Sequence, residues 1–437
     1  MYLQDQISYD ELVANVGVRM DYYYGGGGLW PSGDPFNEEM FKPQKDEETA
    51  AVLVDYLQTG RSYIWDIWKQ YDNEHPGFLQ PIKNFFTVSP RIGISFPVTA
   101  ESKFYFNYGH FRSNPPYYTM YQFRYRYDKN GLYDMTNPNL EPPRTISYEL
   151  GIAYNFYKSM ILTISGYSKD VTGEAGNVRY QTSDGVLNYT NDANNRYEDI
   201  QGLEINISKN DLDWISGWVN FNYYLSKNGL TGRSLITDKD INNDQAGLYA
   251  GQESKSLPRP ELNANITYRT PQTFGPDFLG THILGGWDMT IFGTYRAGSY
   301  FTWNPAGKLH YTNNQQWPDY YMVDLKLSKT FTIAGVKTNF YIDVSNLFNI
   351  KVSQLSSGYA FQDATDENNY LASLHLPMYD SHDYDKLRSA NPGYYIAGND
   401  KIGDMRSADK DYINDPNWSF WTYKQPRDIW FGFRVDF

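Results

Sequence analysis

An all-β fold, built as an antiparallel up-and-down meander of the transmembrane barrel kind, is predicted by three observations on this 437-residue sequence. Apolar and polar residues alternate along segment after segment, the mark of strands with two different faces. The gaps between those segments are by turns short and long. Aromatics reach 17 % of the chain, with 41 Tyr, 24 Phe and 11 Trp, yet no stretch approaches the ~18 consecutive apolar residues of a spanning helix. A barrel strand needs only half its residues apolar, so a mean hydropathy of −0.63 is compatible with a membrane.

In chain order the alternation predicts thirteen strands, beginning with 1–8 and 11–23, which are joined by the gap 9–10. Tyr22, Tyr23 and Tyr24 end the second strand as an interfacial aromatic belt. Strands 86–97 and 102–111 follow across the gap 98–101. In 144–155, Ile146, Tyr148, Leu150 and Ile152 oppose Ser147, Glu149 and Gly151, and the gap 156–159 leads into 160–170. The next pairs are 197–208 with 215–224, and 260–269 with 283–298, where Trp287, Met289 and Ile291 oppose Asp288 and Thr290. In 321–331, Val323, Leu325 and Leu327 oppose Asp324, Lys326 and Ser328. A tight turn at Ile333-Ala334-Gly335 makes a hairpin with 336–348. There Val336, Thr338, Phe340, Ile342 and Val344 share one face, and Lys337, Asn339, Tyr341, Asp343 and Ser345 the other. The last strand, 427–437, carries Ile429, Phe431, Phe433, Val435 and Phe437 as an unbroken apolar face.

Alternation alone would suit a soluble sandwich equally well. The connections decide, because those at 9–10, 98–101, 156–159, 209–214, 270–282 and 332–335 are short, and those at 24–85, 112–143, 171–196, 225–259, 299–320 and 349–426 are long. Short turns on one rim and long loops on the other are the layout of an outer-membrane barrel, with the long loops outside the cell. Loop 24–85 contains a helix-like run from Asp46-Glu47-Glu48-Thr49 through Ala50, Ala51, Val52, Leu53, Val54 and Leu57, with acids where a helix N-terminus favours them.

The chain has no Cys, which excludes disulfides, thiolate metal sites and a cysteine nucleophile. A formal charge of −13 speaks against a nucleic-acid partner, whose phosphates require clustered Lys and Arg. Residues 24–84 hold 10 acidic against 5 basic residues, net −5, and 350–426 hold 11 against 7, net −4, which disfavours a bare anionic ligand. Met1-Tyr2-Leu3-Gln4-Asp5-Gln6 has no leader pattern, so the reading is either a cytoplasmic protein or a start that lies upstream.

Several segments resemble the C-terminal half of TonB-dependent receptors, outer-membrane importers of scarce nutrients. They are Tyr2 to Tyr23 (YLQDQISYDELVANVGVRMDYY), Ser89 to Phe111 (SPRIGISFPVTAESKFYFNYGHF), Asn137 to Phe156 (NPNLEPPRTISYELGIAYNF), Gln201 to Lys209 (QGLEINISK), and Tyr321 to Lys351 with Asn346-Leu347-Phe348-Asn349. The style is similar to that of receptors carrying a carboxypeptidase-regulatory-like module ahead of the plug. The resemblance implies a 22-stranded barrel around an N-terminal plug bearing the TonB box. Aligning the last strands makes this chain about thirteen of those strands, with signal peptide, plug and first strands expected upstream. It also implies residence in the outer membrane of a Gram-negative bacterium and contact with its lipid. The TonB-ExbB-ExbD complex would act through the plug, and the cargo would be a siderophore, cobalamin, glycan or peptide. The final strand, Ile429 to Phe437, is implied to be the targeting signal for the barrel assembly machinery. A non-transporting barrel, adhesive, structural or hydrolytic, is the rival reading; with 6 His and no nucleophile elbow, no catalytic residues stand out.

Two clusters are candidate sites. Tyr117, Tyr118, Tyr121, Phe123, Tyr125 and Tyr127, interleaved with Arg112, Arg124 and Arg126, suit a ring- or sugar-stacking platform, with a membrane girdle as the structural alternative. Among them Tyr117, Tyr118, Tyr121, Arg124 and Tyr125 are the expected ligand contacts. Asp238, Asp240, Asn242 and Asp244 have the alternate spacing of half a Ca²⁺ loop, although Asn243 stands where Gly is wanted and Tyr249 where Glu is; a solvated acidic loop is the alternative. No cofactor is otherwise required. His375, Asp380, His382, Asp383 and Asp385 carry metal-binding groups without a recognised spacing. Gly25 to Gly28 lacks the Lys and helix start of a phosphate cradle and reads as a loop root. Arg19, Asp21, Arg91, Glu149, Glu204, Asp288, Arg296, Asp324, Lys326, Arg434 and Asp436 are expected to solvate a lumen and pair across strands.

Overall fold

The computed structural model describes residues 1–31, 69, 72–74, 76–77, 79–126, 131–157, 159–183, 188–210, 214–232, 234–237, 257–278, 281–308, 313–333, 336–351, 361, 363–415 and 425–436. Among these residues, thirteen strands form the meandering path of one sheet, each hydrogen-bonded to the next along that path, and three short strands pair onto its side. The thirteen are β1 (Tyr2–Tyr9), β2 (Leu12–Tyr23), β3 (Phe85–Thr99), β4 (Ser102–Arg112), β5 (Arg144–Phe156), β6 (Met160–Gln181), β7 (Asn188–Lys209), β8 (Ile215–Leu230), β9 (Arg259–Arg269), β10 (Trp287–Arg296), β11 (Tyr320–Ile333), β12 (Val336–Ser345) and β13 (Asp428–Asp436). Every neighbouring pair on this path is antiparallel, and β1 and β13 are its two edges, so the sheet is open.

The register aligns the two faces across the whole wall. Ile94 pairs with Phe106, Phe106 with Leu150, Ile152 with Ile164 and Ile164 with Ile205, which continues an apolar band from strand to strand. Farther along, Ile266 meets Ile291, Ile291 meets Leu325, and Ile342 meets Phe431. Such residues stand well exposed, Leu150 and Ile152 at about half of their full surface, as side chains directed at lipid must. The opposite face is polar. Its charges pair directly across strands: Arg269 with Asp288 at 2.7 Å, Arg296 with Glu261 at 3.8 Å and Lys326 with Asp343 at 3.8 Å, while Arg19 meets Asp21 on its own strand at 2.7 Å.

Two expectations are corrected. The loop expected over 171–196 is mostly strand, because β6 and β7 are 22 residues each and pair nearly to their tips. At about 3.4 Å per residue they are roughly twice the length a tilted barrel strand needs, so their upper halves project beyond the bilayer. Register shifts at Thr172/Glu174 and Glu174/Gly176 mark where the projection begins. The strand expected over 283–298 is shorter, Trp287–Arg296, since residues 281–282 instead pair back on 277–278. Loop 349–426, long as expected, contains α1 (Ala364–Ser373), α2 (Asp385–Ala390) and most of a large buried cluster. The helix-like run at 46–57 lies outside the described residues.

Candidate functional site at the long-loop mouth

Loops from the long rim build two structures over the sheet. The first is woven around the β6–β7 projection. Short strands Phe123–Arg126 and Gly131–Met135 pair with each other, and the second runs parallel to β7 with Thr190 opposite Asp134. From the other side, Leu235–Thr237 runs parallel to β6, with Arg179 opposite Leu235. Both flanking loops are thereby tied to one hairpin, and side chains finish the tie. Asn194 donates to Glu141 O at 2.8 Å and to Gly173 O at 2.6 Å, and accepts from Glu141 N at 2.8 Å.

Tyr117–Thr119 forms a single 3-10 turn at the base of this weave. Tyr117 and Tyr118 are 72 % and 66 % exposed, so their rings stand open to solvent. Tyr121 joins them to the wall. Its ring lies 6.4 Å from Tyr117 and 6.1 Å from Trp30, edge-on to the latter, and its hydroxyl is 3.3 Å from Tyr23 Oη and 3.4 Å from Gly25 O. Met120 is buried beneath, 3.9 Å from the Tyr23 hydroxyl, and Trp30 Nε1 donates to Thr136 O at 3.1 Å. The result is a ledge of aromatic faces held by few mobile bonds, which suits flat or sugar-like ligands. Arg124 and Tyr125 occupy the adjoining strand Phe123–Arg126.

The second structure is a cap made of two loops, over residues 297–308 and 313–319 of one and 361 and 363–415 of the other. Trp303, Trp317, Phe361, Tyr370, Leu371, Leu374, Leu376, Tyr379, Tyr384 and Ile413 bury one another. Trp303 Nε1 donates to Tyr379 Oη at 2.7 Å, and that hydroxyl donates to Leu371 O at 2.9 Å, which locks the two loops together. Asp363 caps α1, accepting from Thr365 N at 2.8 Å and Asp366 N at 2.9 Å. Burial pushes the Tyr370 and Tyr379 phenols well above the ordinary tyrosine value, so they serve as neutral hydrogen-bonding groups. Lys308 pairs with Asp383 at the junction.

The cap hangs from a knot that periodicity could not reveal. Asn346, fully buried and at φ 52°, ends β12. Its amide accepts from Ile350 N at 2.7 Å and donates to Ile350 O at 2.9 Å and Gln425 O at 2.8 Å, while its backbone N–H donates to Asp324 Oδ1 at 2.7 Å. The side chain thus ties the two stems of the last loop together, and the backbone N–H of the same residue ties them to β11. Asn tolerates the left-handed region better than other non-glycine residues, so the Asn-Leu-Phe-Asn string, with Asn349 also at φ 51°, was the available signal.

The remaining sequence candidates fare differently. Asp238, Asp240, Asn242 and Asp244 lie outside the described residues, as does Phe437. His375 stacks on Tyr412 at 3.7 Å, whereas His382 Nδ1 lies 3.2 Å from Asp385 Oδ2; no group of three or more metal-binding side chains forms among the described residues. Ile429, Phe431 and Phe433 stand exposed along β13. Glu149, in the lumen face, accepts from Tyr105 Oη at 3.3 Å and Asn107 Nδ2 at 3.2 Å.

A family model described as TonB dependent receptor-like, beta-barrel, matches residues 1–347. The chain belongs to this family. Solved structures similar to the receptor chain share low identity. The ferric-catecholate import receptor Fiu of E. coli K12, in its closed form, is 14% identical with a TM-score of 0.43, covering 80% of this chain and 40% of its own. The outer membrane transporter YddB of Escherichia coli is 11% identical, TM-score 0.47, over 80% and 41%. FpvA of P. aeruginosa, bound to a heterologous iron–pyoverdine, is 13% identical, TM-score 0.45, over 100% and 38%. The chain therefore spans about 40% of the length of such structures. No curated protein matches it in sequence.

Proposed function

We infer that this receptor chain forms part of the wall and the outer vestibule of an energy-dependent importer in the outer membrane of a Gram-negative bacterium. The observation that carries the reading is the family membership of residues 1–347, on a sheet whose faces divide into an apolar band and a polar, ion-paired surface. The wall does no bond-making chemistry. Its work is selective capture at the long-loop mouth, followed by passage along the polar face when the TonB-ExbB-ExbD complex pulls on a plug. A concavity of about 710 Å³ on the polar face near the short-turn rim, lined by Tyr105, Asn107, Glu101 and Lys103, suits a seated plug segment.

The ligand is a small molecule, glycan or peptide that presents flat or ring-bearing groups to Tyr117 and Tyr118, within range of Tyr121. Calcium binding by the 238–244 acids is a separate proposal, tested by calcium titration of Asp240→Asn. Uptake of candidate cargo by cells that express the whole receptor, with and without a collapsed proton-motive force, tests the transport reading. Uptake that persists without the force would leave a passive pore or an adhesin in its place. Orientation is tested on the same cells, where Lys401→Cys should react with an impermeant thiol reagent and Glu11→Cys should not; the reverse pattern turns the wall upside down.

A further inference from the structure

The connection between β9 and β10 stands on the short-turn rim, yet its described residues, 270–278 and 281–286, are built as a separate foot. Asp277–Phe278 and Thr281–His282 pair as a miniature hairpin, braced by His282 Nδ1 at 2.9 Å from Gly275 O. The foot is fastened to the outer, apolar side of the wall. Lys329, which continues the outward series Val323, Leu325 and Leu327 on β11, donates to Ile283 O at 2.8 Å, Gly285 O at 2.7 Å and His282 O at 3.2 Å. Trp287 Nε1 donates to Ile283 O at 3.1 Å, and the Lys329 ammonium lies 5.0 Å from the Trp287 ring. Gly286, at φ 71°, lies so close that a Cβ there would stand 2.5 Å from Thr330 O.

The cation is thus consumed by backbone carbonyls, while the side chains of the foot are turned outward. Phe278, Ile283 and Leu284 are 63 %, 51 % and 48 % exposed, and Phe274 packs edge-on against Trp214 at 4.6 Å. Across 270–286 the only formal charge is Asp277. A turn meant for water would not present three large apolar groups with one charge. Phe274 leads from the foot through Trp214 to Tyr268, whose ring is 5.9 Å from that of Trp214 at the end of the lipid-facing band. Aromatic residues prefer that interfacial depth, and a Lys stem reaches along apolar surface to place its ammonium at a polar level.

We propose that residues 270–278 and 281–286 are an in-plane membrane foot, which lays Phe278, Ile283 and Leu284 into the lipid interface at the periplasmic rim and extends the contact of the wall sideways under the bilayer. The proposal rests on the membrane reading above. Because the chain has no Cys, spin labels can be placed singly in the whole receptor reconstituted in phospholipid vesicles, at Phe278→Cys and Leu284→Cys, with Leu150→Cys as the wall control and Glu11→Cys as the aqueous one. Relaxation of each label by oxygen, which concentrates in lipid, is compared with relaxation by a water-soluble nickel chelate. The foot predicts an oxygen-to-nickel ratio at positions 278 and 284 severalfold above that at 11. A ratio equal to that at 11 overturns it, and so does shielding from both reagents, which would mean that a protein partner covers the patch. A water-like ratio at 150 would instead overturn the membrane reading itself. Ile283→Cys repeats the measurement should either foot variant fail to assemble.

Discussion

At the scale of single residues, stability concentrates where one side chain closes several backbone groups. Replacing Asn346 by Ala removes three hydrogen bonds at about 0.5–1.5 kcal/mol each and adds about 1–2 kcal/mol for a left-handed alanine, so a loss of about 2.5–6.5 kcal/mol is expected. Asn346→Gly should keep the backbone turn and lose only the bonds. Amide hydrogen exchange at Ile350 reads the difference: it should rise in both variants and more in Ala, and unchanged exchange there would remove the knot from the account. The cap offers a pH counterpart. Burial raises the Asp400 carboxyl, but hydrogen bonds from Lys410, the His375 N–H and the Tyr412 hydroxyl outweigh it and hold the group below the ordinary carboxylate value of 3.8. A depressed folded pKa contributes stability that is fully present above 3.8 and is lost as pH falls through the folded value. Tyr412 behaves oppositely, pushed up to about 12 by burial and by its bond to Asp400, so its contribution is present below the ordinary value of 10 and is lost as pH rises through about 12. Near-ultraviolet circular dichroism of the cap aromatics should hold a plateau between those limits. Asp400→Asn should lower the plateau and flatten the acid edge, and an acid edge as steep as in the parent would rule Asp400 out as its cause.

Among elements, the wall shows a cross-strand device in which a lumen-face tyrosine lies over a glycine directly opposite: Tyr105 on Gly151, Tyr167 on Gly202 and Tyr341 on Gly432. The ring covers backbone that a glycine leaves bare, and the glycine gives the ring room to lie flat. Gly202→Val would drive a Cβ into the Tyr167 ring, so folded receptor in the outer membrane should fall several-fold; Tyr167→Ala in the same chain should restore it. Failure of that rescue would mean that Gly202 serves some other need. All thirteen wall strands were legible in sequence because each separates lipid from water, which forces alternation. The upper halves of β6 and β7 were not, since above the bilayer both faces meet water or other loops and the pattern Asp170-Val171-Thr172-Gly173-Glu174 has no period to read. The cap escaped for a related reason: its core comes from two loops distant in sequence, and Trp303 meets Tyr379 through tertiary folding alone. The aromatic density around Tyr117 and Tyr118 was visible in the sequence, but the bracing of Tyr121 by Trp30 and Tyr23 required the fold.

For the molecule as a whole, the decisive fact is that the sheet has two free edges. Thirteen strands in a meander leave β1 and β13 running the same way, so joining them would create one parallel pair in an otherwise antiparallel wall. Single-chain bacterial barrels have even strand numbers for this reason. Leaving the edges open in lipid is worse, because each unpaired N–H and C=O there costs several kcal/mol with no water to take its place. The outward residues of β13 sharpen the point, with Phe431 73 % and Phe433 67 % exposed on a strand bonded on one side only. Closure therefore calls for an odd number of further strands between β13 and β1, which we propose the rest of a larger receptor supplies together with its plug. The 437 residues expressed alone and refolded in detergent should then aggregate or stay protease-sensitive, and give no heat-dependent shift in gel mobility. Co-refolding with the complementary strands should produce that shift and protect β1 and β13 together. A protease-resistant, ion-conducting pore assembled from this chain alone would show that the two edges can meet after all.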